Sequence, residues 1–164
     1  MSLLLIALTA GCVAGPEDTG PELEASVLLG TGEWEWEDLD EDINVILGPQ
    51  GGYHILGSVR VRGMVVGDPE NLGDPTNPTT HFEVLHEGED LVISSDYVQG
   101  LDPVPSSVSD WQHQMIGRFA ILGIDSDDQL NGEQLLFRVT ITDVDGAVLS
   151  DERPLTAYPD PRNG

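Results

Sequence analysis

Two acidic loops carry the side chains in this sequence that are best suited to binding a metal ion. Ca²⁺ takes six to eight oxygen ligands, chiefly carboxylates and carbonyls on loops. Loops between the strands of a β-sandwich cluster at its ends, so two acidic loops of one domain are able to meet there. Simple solvation of these turns is the alternative, and it is the commoner case. The candidate calcium ligands are Asp125, Asp127 and Asp128 in one loop and Asp143 and Asp145 in the last hairpin turn.

A second candidate site lies where a glycine- and proline-rich turn enters a strand. Tyr53 and His54 follow this turn directly, and the mouth of a strand is a place where a ligand can bind. A structural histidine hydrogen-bonded to a carbonyl is the favoured alternative. A transition-metal site that uses His54 or His113 with carboxylates is a further hypothesis. His81 and His86 are five residues apart in one predicted strand, so they face opposite ways and do not chelate one metal together.

The sequence contains no motif of an activated nucleophile, a metalloprotease helix or a glycine-rich phosphate loop. Cys12 is the only cysteine. If Cys12 is lipid-modified, no thiolate remains for catalysis or for a blue-copper site. Pairs of carboxylates are too numerous to indicate an acid and base. The pattern favours a non-enzymatic binding or interaction module over a metal-dependent domain or enzyme.

The amino terminus has the pattern of an export signal. Residues 1–11 combine the apolar run Leu3–Leu8 with the small residues Thr9, Ala10 and Gly11 immediately before Cys12, which predicts a signal peptide. The position of Cys12 resembles the bacterial lipobox, which implies that Cys12 becomes the lipidated first residue. Residues 12–24 have no hydrophobic period and predict a flexible acidic tether. Because Val13 is not acidic, the resemblance implies an outer-membrane or cell-surface lipoprotein in a bacterial envelope.

The segment that positions Tyr53 and His54 has the clearest strand pattern in the chain. From Tyr53 onward, apolar residues alternate with His54, Ser58, Arg60 and Arg62, which predicts one apolar and one wetter face. A straight strand of this run would span roughly 46 Å, against about 17–20 Å for an ordinary strand. A bulge or bend is therefore predicted at one of the two glycines of the run, Gly57 or Gly63.

The sequence GPQGGYH at residues 48–54, followed by this alternating strand, resembles a group of uncharacterised bacterial lipoproteins. The resemblance is strongest over residues 48–63. It implies a lipoprotein with a β domain and carries no activity or catalytic residue.

Two further segments place the aromatic side chains. Residues 33–37 alternate as Glu-Trp-Glu-Trp-Glu, which predicts a half-buried strand. Trp34 and Trp36 share one face of it; core packing is the favoured interpretation, and a carbohydrate-stacking platform is the alternative. Around Gly117, the alternation predicts one inward-facing set. This set is Trp111, Met115, Phe119 and Ile121.

Residues 25–155 contain about seven or eight short strand patterns with regular turn signals and no helical period. They predict an all-β domain, an immunoglobulin-like or related antiparallel β-sandwich, with a jelly roll or small barrel as alternatives. Residues 156–164 contain two prolines and predict a frayed tail.

The net charge limits the possible partners. It is −24, and all six basic side chains are arginines. Nucleic acid is disfavoured as a partner because phosphate neutralisation needs a basic patch. An anionic lipid surface also repels this chain, so membrane association would depend on the lipid anchor. The expected partners are an envelope protein or a glycan, and calcium-dependent sugar binding through Trp34, Trp36 or Trp111 is a sharper form of this hypothesis.

Overall fold

A computed structural model describes residues 24–107 and 110–163. The predicted signal peptide, Cys12 and all of the predicted tether except Glu24 lie outside these residues. Within them the chain forms eleven β-strands and two short 3₁₀ helices. The strands are β1 Ser26–Gly30, β2 Asp42–Leu47, β3 Tyr53–Arg62, β4 Thr79–His86, β5 Glu89–Asp90, β6 Val92–Ser94, β7 Asp96–Val98, β8 Asp102–Pro103, β9 His113–Leu122, β10 Gln134–Thr142 and β11 Val148–Pro159.

The predicted all-β, sandwich-like fold class is confirmed. Seven of the described strands have five or more residues, in agreement with the expected seven or eight, and the other four are pieces of two or three residues. All the strand pairs are antiparallel except β11 with β2, which is parallel. Among the described residues, no helix is long and apolar enough to cross a membrane.

Strand β2 joins two halves of the molecule. One half contains β1, β3, β9, β6 and β8, and the other contains β4, β5, β7, β10 and β11. The Asp42–Val45 part of β2 pairs with β11, whereas Ile46 and Leu47 pair with β3. On the opposite side, Leu91 donates to the carbonyl of Val84 and accepts from Gly123, at 2.9 and 2.8 Å. The two halves therefore enclose the core almost as a barrel does.

The core consists of inward-facing apolar side chains from both halves. Alternation along β10 is regular, with every second side chain buried, as the sequence predicts. The first half of β3 differs from the prediction because its even positions are also buried: His54 is 8% exposed and Ser58 is fully buried. Residues of β9 contact both side chains: the His54 ring packs on Phe119, and the Ser58 hydroxyl accepts from the Gly117 N–H at 3.1 Å. The loop after β1 also lies against β3, where the Thr31 hydroxyl donates to the Leu56 carbonyl at 2.9 Å. The residues buried deepest are Val45, Ile55, Val59, Val61, Phe82, Val84, Ala120, Val139, Ile141 and Ala157.

The register of β3 against β9 shifts at Gly57, one of the two glycines at which a bulge or bend is predicted, but the extra residue lies in β9 and not in β3. Between Gly57 and Val59, strand β9 advances by three residues, from Arg118 to Met115, while β3 advances by two. The extra residue reverses the inside-outside alternation of β9. Met115 before the bulge points into the core, and so do Ala120 and Leu122 after it, whereas Phe119 points outward and is 47% exposed. The expectation that Phe119 and Ile121 share the inward face of Met115 is therefore wrong.

The carboxy-terminal tail is ordered by specific contacts, contrary to the expectation of fraying. Strand β11 continues to Pro159, and Asp160 after it is only 4% exposed. The Asn163 side-chain amide donates to the carbonyl of Val45 at 2.8 Å and accepts from the backbone N–H of Leu47 at 2.8 Å. The sandwich therefore extends past residue 155, up to residue 163.

Candidate functional site

A loop over the outer face of β3 and β9 presents an exposed tryptophan. Residues 33–37 are not the predicted half-buried strand: the chain turns back so that Thr31 and Glu37 exchange backbone hydrogen bonds of 2.9 and 3.0 Å. Trp34 stands outside this turn and is 87% exposed. The favoured prediction that Trp34 packs in the core is therefore wrong.

Trp36 holds this loop in place. A Cβ atom on Gly30 would lie 2.4 Å from the Trp36 ring, so only glycine allows the ring to pack there. The guanidinium of Arg60 lies 4.3 Å from the centre of the indole ring, a cation–π contact. The indole N–H donates to Asp38 at 2.9 Å. The two tryptophans of this segment therefore have different roles, Trp36 as an anchor and Trp34 as an exposed surface.

Gly117 fixes the loop against β9. Its φ is +67°, a left-handed conformation that side chains other than that of glycine rarely adopt. A Cβ atom at Gly117 would also lie 2.3 Å from the carbonyl oxygen of Glu33. The bulge thus brings the Glu33 backbone into contact with β9, directly beside Trp34.

Phe119 faces the same surface as Trp34 and has a fixed backbone. The Tyr97 hydroxyl donates to the Phe119 carbonyl at 2.8 Å and accepts from the Phe119 N–H at 2.9 Å. Burial raises the pKa of Tyr97, so its hydroxyl keeps its proton at neutral pH. The ring of Phe119 packs on that of His54 with their centres 4.5 Å apart.

Two concave surfaces share Phe119 in their linings, and we call them together the aromatic groove. Its first part has a volume of about 670 Å³ and lies between Trp34, Gln114, Arg118 and Phe119, with Glu33 and Asp102 at its rim. Its second part, of about 380 Å³, shares Phe119 and is more apolar. These volumes are in the range of small-molecule sites. The second part is lined by Gly48, Pro49, Gln50, Gly52, Tyr53, His54, Phe119 and Ile121.

The structure places both predicted binding residues, Tyr53 and His54, in the wall of this groove. Burial lowers the pKa of His54, and a hydrogen bond with the Gly52 backbone opposes this shift. His54 is therefore neutral at pH 7. Alternation in the sequence does not predict Phe119 as a groove residue, because the bulge reverses its direction; the glycine within the strand pattern, Gly117, is the signal that could indicate it.

We predict that His54, which is buried, and His113, which is partly buried, make the domain less stable in mild acid. Burial lowers the pKa of both His54 and His113 in the folded state. The unfolded chain takes up these protons first, near its ordinary histidine pKa of about 6.5. The free energy of unfolding is therefore highest above about pH 6.5, and it decreases as the pH falls through this value and below it. Urea midpoints measured between pH 7.5 and 4.5 test this expectation.

The control for this experiment is the double variant His54→Gln/His113→Gln. Its urea midpoint should change less with pH than that of the wild type above pH 4.5. The Asp160 carboxylate acts in a different window, because the hydrogen bond from Arg162 lowers its pKa and its stabilising effect is lost only in stronger acid. Equal pH slopes for the two proteins would contradict the prediction.

The structure does not bring the five predicted calcium ligands together. The 3₁₀ helix Asp127–Leu130 precedes β10 and the turn with Asp143 follows it, so the nine residues of β10, about 30 Å, separate the two loops. Asp127 accepts from the Asn163 amide at 2.7 Å. Calcium binding by the first loop stays a prediction.

Both side-chain oxygens of Asp143 accept hydrogen bonds from backbone N–H groups. Asp143 is 7% exposed, and the donors are the N–H groups of Val65, Asp145 and Ala147 at 2.9–3.1 Å. Asp145, by contrast, is exposed. The last hairpin turn therefore uses Asp143 to tie the turn to the segment that follows β3.

A different set of side chains has the spacing of a metal site. One donor atom each from His81, Glu83 and Asp90 lies within 4.8 Å of the other two. Among residues 24–107 and 110–163, the carboxylates of Asp125, Asp127 and Asp128 form no such group. His81 and His86 contact different carboxylates, Asp96 and Glu133.

Comparison with protein-family models, curated proteins and solved structures finds no match to this chain.

Proposed function

We propose that this chain is a lipid-anchored protein of the bacterial envelope whose β domain binds a saccharide in the aromatic groove without turning it over. The observation that carries the binding proposal is Trp34, which is 87% exposed on an anchored loop and lines the same concavity as Phe119. A sugar ring has an apolar face of C–H groups and a rim of hydroxyls. An aromatic ring matches the face, and polar side chains match the rim.

The polar rim supports a saccharide over a purely apolar ligand. Glu33, Asp102, Gln114 and Arg118 line the part of the groove nearest Trp34. They offer carboxylate, amide and guanidinium groups to ring hydroxyls. The net charge of −24 opposes polyanions and favours a neutral or positively charged glycan. The anchored loop reduces the ordering cost of binding, because Trp36 already fixes it.

Replacement of Trp34 tests the binding proposal. We expect Trp34→Ala to weaken the retention of the protein on the polysaccharide that wild type binds by at least about tenfold, the loss of about 1.4 kcal/mol. Its free energy of unfolding should change by less than about 0.5 kcal/mol, because the ring is exposed. The assay is a screen on neutral and amino-sugar polysaccharides, followed by affinity electrophoresis of the variant.

The matched control is Leu72→Ala, which removes a 72% exposed apolar side chain outside the groove. It should bind as wild type does. If no saccharide retains the wild-type protein, or if both variants bind equally well, the saccharide proposal is wrong.

The anchor rests on the lipobox-like position of Cys12 after the apolar run of residues 3–8. We expect Cys12→Ser to move the protein from the membrane fraction to the soluble fraction and to abolish labelling by an alkyne fatty acid. A wild-type protein that is already soluble, or that is retained with its first eleven residues intact, would contradict this part of the proposal. Failure of the anchor would leave the binding proposal untouched.

A further inference from the structure

The outer edge of β4 has a gap between two short partner strands. Strand β5 pairs with Leu85 and His86, and β7 pairs with residues 79–81. Between them, one backbone hydrogen bond, from the Leu91 N–H to the Val84 carbonyl at 2.9 Å, is supplemented by side chains. Ser95 donates to the Phe82 carbonyl at 2.6 Å, and the N–H groups of Val84 and Val92 donate to one oxygen of the Asp90 carboxylate at 3.1 and 3.0 Å. The segment from β5 to β7 is therefore held to β4 partly by side chains.

Three side chains of types that can bind a metal ion lie close together at this gap. His81 and Glu83 are two residues apart on β4 and so share one face, and Asp90 comes from β5. Their donor atoms lie within 4.8 Å of one another. Donors around a tetrahedral metal with bonds of about 2.1 Å are about 3.4 Å apart, so side-chain rotations that bring these atoms closer together would close the set.

A fourth carboxylate supports His81. Asp96 of β7 contacts Nδ1 of His81. Histidines that bind metals usually donate their second ring N–H to a carboxylate, which fixes the ring and makes it a better ligand. This contact leaves Nε2 of His81 for the ion. The His81 side chain is 42% exposed, so an ion can reach it from solvent.

We propose that His81, Glu83 and Asp90 bind a divalent transition metal ion of the zinc type, with Asp96 orienting the imidazole. One imidazole nitrogen and two carboxylates suit Zn²⁺ with a water as its fourth ligand. Ca²⁺ and Mg²⁺ prefer oxygen ligands alone, and an imidazole in the set disfavours them. The ion would join β4 to the segment from β5 to β7 across the gap in the ladder.

The charges around the ligands are compatible with an ion. Arg138 lies 3.3 Å from Glu83 and 2.8 Å from Glu152. When the metal takes one oxygen of Glu83, Arg138 keeps its shorter contact with Glu152. The net charge of −24 also favours cation binding in general. Binding specific to this site must therefore be separated from a general attraction of cations.

Titration calorimetry of the purified protein after chelator treatment tests the proposal, with ZnCl₂ as the probe and CaCl₂ in parallel. We expect one Zn²⁺ per chain and a rise in melting temperature with Zn²⁺ that CaCl₂ does not reproduce. His81→Gln and Glu83→Gln should each weaken Zn²⁺ binding at least tenfold. Both variants should keep urea midpoints near that of the wild type without metal, because neither side chain is buried.

His86→Gln is the matched control, because His86 lies on the same strand and contacts its own carboxylate, Glu133, at 3.2 Å. It should bind Zn²⁺ as wild type does. Absence of Zn²⁺ binding by the wild type would overturn the proposal. So would an equal loss in the His81 and His86 variants, or Ca²⁺ binding that is as tight as Zn²⁺ binding. If His81→Gln does not fold, Glu83→Gln alone decides.

Discussion

Phe82→Ala lowers the free energy of unfolding by about 3–5 kcal/mol, the cost of removing a large side chain from a packed core. Phe82 is fully buried. It stacks on Phe137, with ring centres 5.8 Å apart, and meets the edge of Tyr97 at 6.3 Å. It also reaches across to the other half of the molecule, where a Cβ on Gly57 would lie 2.5 Å from its ring. The urea midpoint should fall by about 2 M.

Phe119→Ala is the matched control for this loss, because the same side chain is removed from an exposed position. Phe119 is 47% exposed, so we expect its free energy of unfolding to fall by much less than that of Phe82→Ala. It should instead reduce saccharide retention. Equal destabilisation by the two substitutions would show that Phe119 packs inward, as the uninterrupted alternation of β9 predicts. It would also contradict the assignment of Phe119 to the aromatic groove.

The second large effect is expected at the last hairpin turn. Asp143→Ala removes the acceptors of three backbone N–H groups, those of Val65, Asp145 and Ala147. Each hydrogen bond to a charged group contributes about 1.5–3 kcal/mol, and these three are not additive because they share one carboxylate. We expect a loss of about 3 kcal/mol in the free energy of unfolding, measured by urea denaturation.

Asp145→Ala, two residues away, is the control for charge. Asp145 is exposed, so its removal should change the free energy of unfolding by less than about 0.5 kcal/mol. A calcium ligand would behave differently: Asp143→Ala would then lose stability only when calcium is present. That result would restore the calcium interpretation of this turn.

The strand pattern predicts the fold class because apolar and polar residues alternate along each strand wherever one face of the strand is buried. It predicts β10 residue by residue, and it indicates Gly57 as one of two positions of irregularity in β3, where the register against β9 shifts. It does not predict the direction of Phe119, because the extra residue in β9 depends on the register against β3. Residues 33–37 have a strand pattern, yet they form a turn in which Trp36 packs against Gly30 and Arg60. Local alternation does not indicate these two contacts.

Some of the candidate sites are likewise predictable from the sequence, and others are not. Tyr53 and His54 are predictable because a strand follows a turn at a fixed point in the sequence. The group at His81, Glu83 and Asp90 is not, since it requires knowledge of which strands meet at the edge of β4. The contacts of Asn163 with Val45 and Leu47 span more than 110 residues, and no local signal in the tail indicates them.

The parallel pairing of β2 with β11 has a consequence for how the protein acquires its structure during synthesis. Asp42 pairs with Thr156, and the backbone N–H of Asp160 donates to Val45 at 3.0 Å. One edge of an early strand therefore has no partner until residues 156–159 have left the ribosome. Closure of so long a loop makes folding slow. Late folding thus follows from a single strand pair, because the edge of β2 is completed only by the strand that follows all the others in the described domain.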